Sequence, residues 1–416
     1  MSDPGPASGS RRAAGAWPAV LALALLARVA FALVMPRRIL WPDGLEYQAV
    51  ARSLLEHGSY GLQTLRPPGY PTLIAAVYAL TGENLLALRL VEALLGTASV
   101  AVVGVAGAAA FGPAAGWIAA SIMALHPVLA FLPSTQYSES TLVRVVVLAL
   151  AALVAAWRGG GAGRWALAGA LFGVAALVRP TVMFLLPGLG LGLLLALGAT
   201  GRARVLPAAA ALAALALVVA PWVVRNHRVH GRWFFIATGG GRQFWVGNNA
   251  RATAETTAPT QWNAAERESL ASYPDEIARE RWHYREGLRF VRAQPARAAG
   301  LYLKELGNLF APWPETFSRA LAIGPLGRVA QGLATAVLFL GVLLAIPRLR
   351  GDPLLWPLAG AVVSFALMSA AFFTVMRYRM VIEPVLLWLA GVGWAATPWG
   401  AAFARRLGWA TRPEGR

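Results

Sequence analysis

A few polar residues are set against a strongly apolar background. Asp43, Glu46, Arg66 and Tyr70 share one stretch, WPDGLEYQAVARSLLEHGSYGLQTLRPPGYP (41–71). Glu139, Arg179, Arg225 and the run Arg377-Tyr378-Arg379 follow. The chain has only four aspartates, and Asp43 comes just after the first apolar segment. A carboxylate fixed where lipid meets water can take a proton as a general base. The same Asp-x-x-Glu spacing makes a capping box, with Asp43 as N-cap and Glu46 three residues on. The two readings are compatible, and spacing does not separate them. Arginine offers a planar fork of donors suited to phosphate and carboxylate. A lone arginine at the end of a span also reaches for lipid head groups. Ser138-Glu139-Ser140-Thr141 reads as a helix start. Glu139 is equally placed to touch a ligand, or to share a divalent cation with Asp43.

The elements that must position these residues are membrane helices. The chain has 416 residues, 57% hydrophobic and 13% charged, against about 25% charged in soluble domains. Its apolar residues fall in long blocks without strand alternation, so the spans are helical. About ten are expected, near 16–35, 84–108, 114–133, 138–157, 164–179, 181–199, 205–223, 325–346, 353–375 and 380–399. Their centres read as nearly free of charge. Arg179-Pro180 interrupts one apolar run as a turn. With the N-terminus inside, the cytoplasmic ends carry Arg11/Arg12, Arg158/Arg164, Arg202/Arg204, Arg348/Arg350 and Arg405/Arg406/Arg412/Arg416. This places the loop 36–83, the Arg179-Pro180 turn, the segment 225–323 and Arg377-Tyr378-Arg379 outside. The expected organisation is a disordered tail (1–15), a membrane domain (16–224) carrying the 36–83 loop, a small extracytoplasmic domain (225–323), further membrane helices (324–399) and a tail (400–416).

Within 36–83, Tyr47, Val50, Ala51 and Leu54 line one face of a short amphipathic helix that Gly58 ends. It is too polar to span and lies at the membrane surface. RPPGYPTLIAAVYALTG reads as a short interfacial or re-entrant segment. In 225–323, ERWHYREGLRFVRAQP predicts an amphipathic helix ended by Pro295.

Several classes of chemistry are excluded or disfavoured. There is no cysteine, which removes disulfides and thiolate sites. The five histidines show no HExxH pattern. The net charge of +18 is almost wholly arginine, with Lys304 the only lysine. Its placement beside apolar blocks points to lipid head groups and topology, not nucleic acid. Gly239-Gly240-Gly241 lacks a P-loop Lys-Ser/Thr and reads as a flexible turn. No cleavable signal pattern follows Arg11-Arg12.

The order of motifs resembles membrane glycosyltransferases of the GT-C fold, and more narrowly the protein mannosyltransferase-like superfamily, which includes lipid A aminoarabinose transferase-like enzymes. The resemblance rests on Asp43 after the first span, the Arg-Pro-Pro-Gly-Tyr-Pro run, HPVLAFLPSTQYSES (126–140), GALFGVAALVRP (169–180), APWVVRNHRVHGRWFFIATGGGRQFWVGNN (220–249) and RYRMVIEP (377–384). It implies transfer of a hexose or pentose from a polyprenyl-phosphate carrier to an extracytoplasmic lipid, polysaccharide or protein, in the inner or plasma membrane of a cell with a glycan-bearing envelope. It also implies Asp43 as the general base. Arg377, Arg379, Arg179, Arg225 and Arg66 then become candidates for the donor phosphate, and Glu139, Tyr378, Glu46 and Tyr70 for substrate contact. No cofactor is required by these motifs; a divalent cation is the one candidate. Gly44-Leu45 departs from protein mannosyltransferases, which often carry two consecutive acids there, and this puts a protein acceptor in doubt. The alternative is a lipid-linked sugar flippase or transporter. Such proteins place polar groups at mid-span, whereas here they gather at the outer ends.

Overall fold

The structure is a computed structural model that describes residues 7–159, 161–197, 202–254, 264–312 and 324–407. Among these there is no strand. The chain runs through α1 (Ala7–Val34), α2 (Pro42–His57), α3 (Gly69–Thr81), α4 (Leu85–Phe111), α5 (Pro113–Leu125), α6 (Pro127–Phe131), α7 (Ser138–Trp157), α8 (Ala162–Val178), α9 (Leu186–Leu197) and α10 (Arg202–His230). Four helices follow among the described residues of the segment 225–323: α11 (Gly240–Gly247), α12 (Ala264–Ala271), α13 (Glu276–Ala293) and α14 (Pro295–Leu309). The chain then returns through α15 (Pro325–Ala345), α16 (Leu355–Ser369), α17 (Glu383–Ala395) and α18 (Pro398–Arg406).

A helical element stands at each of the ten expected spans, but they are not ten equal crossings. Among the described residues, five helical segments are long and apolar enough to cross a membrane: Trp17–Val34, Leu85–Phe111, Ser138–Trp157, Leu206–His230 and Pro325–Arg350. Two bent pairs raise the number to seven: α5 with the run to Ser134, broken by 64° at His126-Pro127, and α17 with α18, broken by 93°. The remaining apolar helices, such as Ala162–Val178 and Leu355–Ser369, are shorter. Proline explains the first break, because it cannot donate to the preceding turn.

The glycine-rich α8 packs closely on α10. A Cβ at Gly169 would stand 1.9 Å from the Ala211 carbonyl oxygen, so only glycine fits. The tail expected to be disordered is helical from Ala7 onward; residues 1–6 and 408–416 lie outside the described ones.

The spans are not free of charge. Arg28, Arg89, Glu92 and Arg144 are buried within α1, α4 and α7. Arg144 grips both carboxylate oxygens of Glu92, at 2.9 and 2.7 Å. Arg28 donates to the Ala24 carbonyl, and Arg89 to the Met35 carbonyl. These residues were missed because partners 52 positions apart leave no local pattern, and a lone Arg or Glu in an apolar run reads as noise. Burial of such ions is tolerated only with a partner or several acceptors.

The 36–83 loop has a small core of its own that it shares with α4: Tyr47, Ala51, Tyr70, Ile74, Tyr78 and Leu88 make one apolar cluster. Fully burying Ile74 contributes about 1.5–3 kcal/mol. Helix α2 buries the expected face, and Gly58 closes it in the left-handed conformation at φ 61°. The helix near ERWHYREGLRF is α13, started by Asp275 accepting from the Ala278 amide at 2.7 Å. Pro295 does follow its end, and also begins α14.

Candidate functional site

Asp43 does not cap its helix. Pro42 takes the first helical position, which its fixed φ favours, so the N-cap is Trp41 and no side chain caps the start. The capping-box reading of Asp43 and Glu46 is thereby corrected. With no amide to serve, the Asp43 carboxylate turns to two arginines. Arg66 Nη2 donates to Oδ1 at 2.8 Å, and Arg377 Nη1 to Oδ2 at 3.1 Å.

Arg377 then spans two acids. Its Nε stands 3.0 Å from Glu139 Oε1. Arg179 Nη1 reaches the same Glu139 oxygen at 2.9 Å. Arg66 also donates through Nε to Glu46 at 2.7 Å. The cluster therefore joins three arginines and three carboxylates, and its formal charges cancel. Glu139 is fully buried, whereas the Asp43 side chain keeps 27% of its surface exposed. The site is thus closed on the Glu139 side and open on the Asp43 side.

Five separate pieces of chain build this arrangement. Gln63 brackets Arg66, accepting from its amide at 2.7 Å and donating to its carbonyl at 3.0 Å. Gly69, after the two prolines, lets α3 abut the end of α8; a Cβ there would stand 2.7 Å from Val178 Cγ2. That contact brings Arg66 beside Arg179, which terminates α8 where Pro180 breaks it. Tyr47 on α2 donates to Ser138 Oγ at 2.9 Å, tying Asp43's helix to Glu139's. The Arg377 guanidinium lies 3.8 Å from the Tyr137 ring centroid, a cation–π seat. Gly44 packs against the 134–137 turn, where a Cβ would meet Ile39 Cγ2 at 2.8 Å and Gln136 Cβ at 3.2 Å. Neither Tyr137 nor Ser138 was expected at the site, because each reaches it through a partner far away in sequence, Arg377 and Tyr47.

Burial pushes the Asp43 carboxyl up, but Arg377 and Arg66 outweigh it and hold the group below the ordinary carboxylate range. Asp43 is therefore ionised.

The structure brings some expected residues together and separates others. Arg66, Arg179, Arg377, Glu46, Glu139 and Asp43 converge. Tyr378 lies beside them, with the Arg179 guanidinium 5.1 Å from its ring centroid. Tyr70 is fully buried behind the site, edge-on to Tyr47 at 5.1 Å, and is a packing residue. Arg379 does not join. It is buried against Glu383 at 2.8 Å and donates to the Ala311 carbonyl at 2.9 Å. Arg225 does not join either. It donates to the Gly61 carbonyl and rests over Trp222. Gly239-Gly240-Gly241 is no flexible turn: the Gly239 and Gly241 amides both donate to Glu280, at 2.9 and 2.8 Å. As for a cation, Asp43 and Glu139 are joined through Arg377, and no cluster of three His, Cys, Asp or Glu occurs among the described residues. Those residues do not fit a shared metal site.

Residues 65–224 match the dolichyl-phosphate-mannose-protein mannosyltransferase family. The segment holds Arg66, Glu139 and Arg179 but neither Asp43 nor Arg377. The structure is similar to the archaeal oligosaccharyltransferase AglB from Archaeoglobus fulgidus, in complex with an inhibitory peptide and a dolichol-phosphate. The TM-score is 0.56 at 14% identity, covering 96% of this chain and 52% of that one. This chain has the GT-C fold. An Archaeoglobus fulgidus oligosaccharyltransferase tethered to an acceptor peptide containing the NVT sequon gives 0.52 at 14% identity, covering 91% and 49%. ArnT from Cupriavidus metallidurans bound to undecaprenyl phosphate gives 0.45 at 19%, covering 94% and 80%. The chain spans about half the length of AglB. No curated protein sequence matches it.

Proposed function

We propose that this GT-C chain is a glycosyltransferase that moves a sugar from a polyprenyl-phosphate carrier to an acceptor on the outer side of the membrane. Asp43 is the general base, and Arg377, with Arg179 and Arg66, receives the donor phosphate. The observation that carries this reading is the shared grip of Arg377 on Asp43 and Glu139. The base and the phosphate-binding group are then neighbours. The family match of residues 65–224 and the dolichol-phosphate bound in AglB agree with it.

The chemistry is one displacement. The acceptor hydroxyl attacks the anomeric carbon, its proton passes to Asp43, and the bond from that carbon to the phosphate oxygen breaks. The leaving phosphate gains the charge that Asp43 loses. Arginines that held an ionised Asp43 therefore find a second negative group within reach as the first is neutralised. Such pre-placed donors typically contribute about 2.7–4 kcal/mol each to the transition state. A single displacement inverts the anomeric centre. Arg379 and Arg225 are not assigned to the phosphate in this scheme, because each is engaged elsewhere.

The test is transfer of radiolabelled sugar from a panel of polyprenyl-phosphate sugars by the purified chain in vesicles, with and without a metal chelator. Wild type should transfer label, and Asp43→Asn should transfer about 10²–10⁴-fold less while staying folded. Equal transfer by both would remove Asp43 from the chemistry. Carrier movement across the vesicle without any transfer would make the chain a flippase.

A further inference from the structure

Arg377 follows a strap, residues 370–375, that has no regular structure and connects α16 to the short 3₁₀ turn Met376–Val381. A loop left to itself could not hold a guanidinium between two carboxylates. The outer segment holds it from four points. Tyr302 on α14 donates to the Leu367 carbonyl at 2.8 Å, just before the strap. Asn248 donates to the Ala371 carbonyl at 2.8 Å. The Phe373 amide donates to the Gln243 carbonyl at 3.0 Å. Glu305 accepts from the Thr374 amide at 2.7 Å.

Glu305 is the unusual member. Its side chain is 1% exposed, and no arginine answers it among the described residues. Oε2 takes the Thr374 amide and, at 3.3 Å, the Asn308 side chain, while Oε1 is buried without a partner. Burial pushes its carboxyl up to about 7, against the pull of those two hydrogen bonds. A glutamine would supply the same acceptor without that desolvation cost. Only Val375 and Met376 separate its contact at Thr374 from Arg377.

We propose that Glu305 is a positioning residue: from the outer segment it fixes the strap at Thr374 and so holds Arg377 against Asp43 and Glu139. The inference rests on the reading of Arg377 as the donor-phosphate group, but the mechanical link does not. The outer helices are thereby part of the site's frame, although none of these four residues supplies a charge to it.

The experiment is a double-mutant cycle on the full chain in vesicles with Glu305→Ala, Arg377→Ala and both. It is read as affinity for undecaprenyl phosphate and as thermal stability without lipid carrier. Coupled residues give non-additive effects. Each single variant should weaken carrier binding about tenfold, a loss of about 1.4 kcal/mol. The double variant should bind no worse than Arg377→Ala alone, and Glu305→Gln should bind like wild type because its amide oxygen still accepts from Thr374. The stability effects should be non-additive too. Additive losses in both readouts would overturn the proposal, as would a Glu305→Gln variant as impaired as Glu305→Ala. If wild type fails to bind the carrier while the stabilities remain coupled, the donor reading falls and the Glu305–Arg377 link stands.

Discussion

Two kinds of arginine–carboxylate contact coexist in this molecule, and their difference is informative. Arg144–Glu92 and Arg379–Glu383 are closed pairs: one cation meets one anion, and almost no surface is left to solvent. The cluster around Asp43 is a chain of shared partners. Arg66 serves Asp43 and Glu46, Arg377 serves Asp43 and Glu139, and Arg179 adds to Glu139. A closed pair is costly to break and has nothing to give to a ligand. A shared network can pass a charge along, because Arg66 and Arg377 each already hold two carboxylates. The same residue types thus build in one place and are available for chemistry in the other.

Breaking a closed pair should give the largest effect, and it should fall on stability. Arg379→Met is expected to cost about 3–5 kcal/mol by leaving Glu383 buried and unpaired, measured by thermal unfolding in detergent. Adding Glu383→Leu should recover most of that loss. Next comes the shared network. Arg377→Ala should lower transfer about 10²–10³-fold, with a measurable loss of stability that is smaller than that of Arg379→Met. Arg377→Lys should not restore it, since one ammonium cannot bridge Asp43 and Glu139 as a fork does. If Arg377→Ala unfolds the protein and Arg379→Met spares it, the distinction collapses.

A smaller effect sharpens the comparison by pH. Arg66 and Arg377 depress the Asp43 pKa. Asp43 therefore stays ionised down to pH values below its ordinary range, and the stability from its ion pairs is present above about 4 and lost as pH falls further. Arg66→Gln removes one stabilising cation, so the acid limb of kcat/KM should move to higher pH. A limb that stays in place would mean Asp43 is not the titrating base. Glu46→Gln should do least. Its carboxylate is half-exposed, and surface pairs contribute about 0–1 kcal/mol, so transfer should stay within about fivefold of wild type.

How much of this was legible in the sequence depended on the range of the pattern. The α2 face at Tyr47, Val50, Ala51 and Leu54 was readable because helix period and burial are local. The break at Arg179-Pro180 was readable from proline alone. Arg377 and Arg379 were inseparable in sequence, being two residues apart beside one tyrosine. In the 3₁₀ turn Met376–Val381 a step of two residues points side chains well apart. One arginine faces Asp43 and the other faces Glu383. Glu383, four residues after Arg379, was the available signal for that pairing. The Glu92–Arg144 pair, the Tyr137 seat under Arg377 and the Glu305 contact left no such trace, since each joins distant segments through tertiary packing.

The tight fit of Gly44 also bears on whether a second acid could follow Asp43 directly. Here a side chain at that position would collide with Ile39, whose branched Cβ leaves few rotamers to retreat into, and with Gln136 on the turn leading to Glu139. A two-acid centre is therefore out of reach by a single substitution. Any lineage or designer seeking one must first remodel the 134–137 turn, and would disturb Glu139 in doing so.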